Sequence, residues 1–66
     1  MRIFVNGEQR DVENAPTVAD LVAALGLETR KVAVERNLEI VPRSLHAATP
    51  VLENDRFEIV TFIGGG

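Results

Sequence analysis

Ser44, His46 and Asp55 are the residue types of a hydrolytic triad. A triad works only through mutual geometry of nucleophile, base and acid. All three lie in one irregular stretch, "RSLHAATPVLEND", residues 43–55, and a shared loop seldom supplies that geometry. The ordinary reading of His46 is a surface or half-buried loop residue. Glu8, Asp11, Glu13, Glu35 and Glu39 could pair for acid–base work. Their positions on strands and turns make them a solvated face instead. Arg36 and Arg43 could take an anion, but isolated arginines are common on surfaces. One histidine and no cysteine cannot build a zinc site.

The remaining candidate is the last stretch, "VTFIGGG", Val60 to Gly66. A terminal carboxylate on Gly66, with a reference pKa of about 3.3–3.7, is ionised at pH 7. An anion is a poor electrophile and must be activated before a nucleophile can attack it. Glycine carries no side chain, so Gly64, Gly65 and Gly66 can pass a narrow channel. Fully extended, Ile63 to Gly66 reaches about 13–14 Å. On composition alone, three closing glycines read as a loose end. Against that, they follow the best strand of the chain with no polar spacer.

The elements that would position this end are legible in pattern. "RIFVNGEQRDV", residues 2–12, is a hairpin around Asn6-Gly7, the strongest short turn signal. Ile3 and Val5 share one face, Phe4 takes the other, and Val12 closes the second strand on the core side. Val18, Leu21, Val22 and Leu25 recur at helical spacing within "TVADLVAALG", residues 17–26. Thr17 is the N-cap, Asp20 sits at the capping-box position, and Gly26 fits the residue after the helix. "KVAVERN" alternates with Val32 and Val34 inward, and "EIVP" is a short strand that Pro42 places at an edge or an end. Asn54-Asp55 turns the chain into "RFEIVTFI", the longest apolar strand and the central one. Phe57, Ile59, Thr61 and Ile63 line its helix side; Glu58, Val60 and Phe62 line the other. The order of these elements specifies an α+β fold with one helix covering one face of a mixed sheet.

A chain of 66 residues is one small domain. Its core supplies about 3–5 kcal/mol net and leaves little space for a deep catalytic pocket. The formal net charge of −3, with both signs mixed along the chain, argues against a nucleic-acid binder. No apolar run approaches the ~20 residues of a membrane span. "MRIFVNG" lacks the apolar region of a signal peptide, so a soluble cytoplasmic domain is expected.

Nearly the whole chain resembles the ThiS family, bacterial sulfur carriers of thiamin biosynthesis with a β-grasp, ubiquitin-like fold. The carrying residues are "VNGE" (5–8), "TVADLVAALGL" (17–27), "VAVERN" (32–37), "IVPRS" (40–44), "ND" before "RFEIVTFIGGG", and the closing Gly65-Gly66. Two positions depart from the pattern. Members often carry an aromatic where His46 stands and a glycine where Asn54 stands. The resemblance implies a four- to five-stranded mixed sheet with one main helix over residues 1–63, and a glycine tail over 64–66. It implies that an E1-like adenylating enzyme of the ThiF type spends ATP to adenylate the Gly66 carboxylate. A persulfide donor then supplies sulfur, and the thiocarboxylate serves a thiazole synthase of the ThiG type. On this expectation the chain is a co-substrate, not an enzyme, and holds no cofactor or metal of its own. Sulfur carriers for molybdopterin synthesis or tRNA thiolation share the fold and the glycine end. A non-carrier interaction module with a slack end is the reading from another class.

A tail of glycines needs help to bind. Ordering three of them costs about 3–6 kcal/mol. Phe4, Val60 and Phe62 fall on the uncovered face if the last strand pairs with the first. Burying one aromatic contributes about 1.5–3 kcal/mol, so such a patch offsets much of the tail's cost. With Ile63, Gly64 and Gly65 they form the expected partner-binding set beside Gly66.

Overall fold

The computed structural model describes residues 1–62. The expected roles of Ile63, Gly64, Gly65 and Gly66, and the boundary between domain and tail, lie outside the described residues.

Five strands form one sheet in the order β2-β1-β5-β3-β4. Strand β1 (Arg2–Val5) and β2 (Glu8–Asp11) make the first hairpin. Asn6 at φ 51° and Gly7 at φ 81° give the turn its two left-handed residues. Helix α1 (Val18–Ala24) follows, then β3 (Val32–Arg36) and β4 (Glu39–Val41) as a second antiparallel hairpin. Strand β5 (Arg56–Thr61) returns to the middle, parallel to β1 and antiparallel to β3. The expected mixed sheet with a central last strand is thus what forms.

The helix starts where the capping signal places it. The Thr17 hydroxyl accepts from the Asp20 N–H, and an Asp20 carboxylate oxygen accepts from the Thr17 N–H at 3.2 Å. Gly26 closes it at φ +77°. Val18, Leu21 and Val22 lie buried against Ile3, Val5, Val32, Val34, Phe57 and Ile59. Each of those strand residues alternates inward, as the pleat requires. Val12 and Leu25 pack at the rim of this core.

Two details differ from the sequence expectation, at His46 and at Thr61, while Asn54 turns the chain as expected. His46 is 2% exposed, neither on the surface nor half-buried. It follows a 3-10 turn at Arg43–Leu45, and one ring nitrogen lies 3.0 Å from the Val41 carbonyl oxygen. A flat ring fills that interior site. Asn54 adopts φ 68°, the left-handed conformation that glycine would take at no steric cost. Thr61 is exposed, so the helix-covered side of β5 ends at Ile59.

Candidate functional site

The site is built on the outer side of β5. Register places Phe4 opposite Arg56, Glu35 opposite Glu58, and Ala33 opposite Val60. The Phe62 N–H donates to the Lys31 carbonyl at 2.8 Å. Arg56, Glu58, Val60 and Phe62 therefore share the face that the helix leaves bare.

That face divides along the strand. The Arg56 guanidinium lies 4.4 Å from the centre of the half-buried Phe4 ring, a cation–π contact. Next come Glu58 and Glu35, two carboxylates on directly opposed positions, an arrangement that disfavours the isolated sheet. Beyond them stand Val60, 60% exposed, and Phe62, 56% exposed, with exposed Ala33 alongside Val60. Glu58 thus separates Phe4 from Val60. Val60 and Phe62 place exposed apolar surface at the exit end of β5, immediately before residues 63–66, while Ile40, 77% exposed, stands on the same face beside Glu35.

The triad types do not come together. Among the described residues, the His46 ring bonds only the Val41 carbonyl, and its Nδ1 is buried without a partner. Asp55 belongs to a different network. Its carboxylate accepts from Arg36 Nε at 2.8 Å, Asn37 Nδ2 at 3.0 Å and the Leu52 N–H at 2.8 Å. Burial alone would push the Asp55 carboxyl up. The bonds from Asn37, Leu52 and Arg36, with the Arg36 charge, outweigh that and hold it below the usual carboxylate range. This network fastens the start of β5 to the β3–β4 turn.

Glu8 and Asp11 are exposed along β2, as a solvated edge should be. No group of three metal-ligating side chains occurs among the described residues. A shallow groove of about 190 Å³ runs between Arg36, Ile40, Val41, Pro42 and Leu45 at the β4 edge. It is smaller than the ~300–1,000 Å³ of ordinary ligand sites. No helix among the described residues is long and apolar enough to cross a membrane.

One feature of the site had no sequence signal beyond the Asn-Gly turn. The Asn6 side chain reaches across to β5, donating from Nδ2 to the Ile59 carbonyl at 3.0 Å and accepting from the Ile59 N–H at 2.8 Å. A side-chain amide here supplies the two bonds that a neighbouring strand would make. Only the parallel register of β1 with β5 shows it.

Comparison with known proteins agrees with this geometry. The profile of the ThiS family matches residues 3–66. A thiazole synthase of Paramagnetospirillum magneticum is 53% identical over 66 residues, all of this chain and 20% of that protein. The chain therefore spans about a fifth of that relative's length. The sulfur carrier protein ThiS of Bacillus subtilis is 42% identical over 50 residues, 76% of each chain. The crystal structure of a thiamine biosynthesis protein (ThiS) from Geobacter metallireducens superposes over 100% of both chains, with TM-score 0.83 and 36% identity.

Proposed function

Because this chain belongs to the ThiS family, we propose that it is a sulfur carrier of thiamine biosynthesis that carries its cargo on Gly66. A carboxylate oxygen of Gly66 takes the adenylyl group of ATP on an E1-like enzyme, and pyrophosphate leaves. A persulfide sulfur then attacks the carbonyl carbon and displaces AMP. Reduction of the resulting acyl disulfide by a thiol frees the thiocarboxylate, which hands its sulfur to a thiazole synthase. The chain contributes the acyl group and a docking surface. Base, nucleophile and ATP site belong to its partners, in the cytoplasm where ATP is available.

The observation that carries this reading is the placement of Val60 and Phe62. They are exposed at the exit of the central strand, with only Ile63 between Phe62 and the glycines. A partner that takes the tail meets this apolar surface first, and clustered exposed apolar surface marks interaction. The thiazole synthase relative contains a stretch matching this whole chain, which supports that enzyme as the sulfur acceptor.

Intact mass tests the proposal. The chain is incubated with ATP, a persulfide donor and the cognate adenylating enzyme. The expected gain equals the difference between one sulfur and one oxygen, on the C-terminal fragment alone. An unchanged mass refutes the carrier reading. The same spectrum reports whether Gly66 presents the free carboxylate that the chemistry requires.

A further inference from the structure

The edge of β5 facing β1 is only partly used. Strand β1 pairs with β5 at Phe4↔Arg56 and Val5↔Phe57 and then turns away at Asn6-Gly7. The Phe4 N–H bonds the Asp55 carbonyl, the Asn6 N–H bonds the Phe57 carbonyl, and the Asn6 amide serves Ile59. The next residue on this edge is Thr61. Its neighbour Phe62 points its N–H to β3, so the Thr61 N–H and C=O point the other way. Among the described residues, nothing bonds them on that side. Asn6, Gly7 and Thr61 are all exposed, and a Cβ built on Gly7 would meet nothing within 4 Å. Among the described residues, the sheet position that β1 vacates is open.

We infer that this position receives an extended segment of the thiazole synthase, which pairs with Thr61 main chain to main chain in line with β1. The inference deepens the proposed function and rests on it. Residues 63–66 follow Phe62 at once, and their reach is only about 13–14 Å, so whatever holds Gly66 must stand close beside this edge. An unpaired strand edge is a template for one more strand. Main-chain pairing supplies affinity that glycines cannot supply through side chains. Asn6 sets the limit of the slot: its amide satisfies Ile59, so the added strand begins at Thr61 and cannot slip toward Phe57. Val60 and Phe62 project beside it on the bare face, making one continuous contact with the open edge.

The test uses calorimetry with the thiazole synthase and hydrogen exchange of the Thr61 amide. Thr61→Pro removes the N–H that no described residue uses, so the free domain keeps its fold, as proline is tolerated where an edge N–H faces solvent. We expect Thr61→Pro to weaken the complex about tenfold and Thr61→Ala to bind as wild type. We expect the Thr61 amide of the wild type to exchange at least about tenfold more slowly in the complex. Equal binding by Thr61→Pro, or unchanged exchange at Thr61, overturns the inference. Should Thr61→Pro fail to fold, the exchange measurement on the wild type decides alone. Protection of Thr61 in a chain that takes up no sulfur strikes the carrier reading and leaves the strand pairing standing. A wild type that does not bind the synthase overturns both.

Discussion

Asp55 shows how much one side chain can organise. It is 6% exposed, yet all its strong bonds run to groups that define the entry to β5. Its carboxyl is held below the usual range, so its charged form stabilises the fold. That contribution is fully present above the unfolded-state value of about 3.9. It is lost as pH falls through the lower folded-state value. Asp55→Asn keeps the shape and removes the charge facing Arg36. We predict a loss of about 2 kcal/mol at pH 7 by urea unfolding, shrinking toward zero below about pH 4 as the wild type also loses its charge. A constant difference down to pH 2 would assign the effect to shape instead. His46 shows the reverse relation. Its type suggested chemistry, but its place is a packing site, because the loop that carries it folds inward over the end of α1. The Ala19 N–H bonds its carbonyl there.

Elements form where local signals agree with each other. Thr17 and Asp20 complete a capping box, with the Thr17 hydroxyl 2.7 Å from an Asp20 carboxylate oxygen. Thr17→Ala deletes the side-chain half of it. We predict a loss of about 1 kcal/mol. A domain this small should then melt about 4–8 °C lower in a calorimetric scan. Where signals were silent, the element had to be seen. The second hairpin turns through Asn37 at φ 51° and Leu38 at φ 72°, and leucine is no turn residue. The length of β5 relative to its cover was equally hidden. A seven-residue helix is about 10 Å long, while a six-residue strand runs about 20 Å. The helix therefore covers Phe57 and Ile59 and leaves Thr61 bare. Alternation alone had carried the covered side one step too far.

At the scale of the molecule, the core and the proposed docking surface lie on opposite faces of one sheet. The helix-side core holds the fold, and the bare face and the β5 edge at Thr61 are where the proposed partner docks. Phe57 is the centre of that core, 1% exposed between β1 and β3. Truncating a buried phenylalanine costs about 3–5 kcal/mol, and a core of this size supplies about the same in total. Phe57→Ala should therefore be largely unfolded at 25 °C by circular dichroism, whereas a cooperative melt above that temperature would show a larger margin. The opposed Glu35 and Glu58 on the bare face fit the same division, since their repulsion is tolerable only where packing does not depend on them.

The sequence by itself determined the strands, the helix with its caps, and the inward residues of each strand as far as Ile59. Those are local properties: turn residues and a 3.6-residue or two-residue period. The tertiary structure decided what depends on which strands lie side by side. It separated Phe4 from Val60, buried His46, and bound Asp55 to Arg36 across the sheet. It also set Asn6 beside Ile59, whose main-chain groups its amide takes, and left Thr61 unpaired on that side among the described residues. Register between distant strands is a property of pairs, and no single segment carries it.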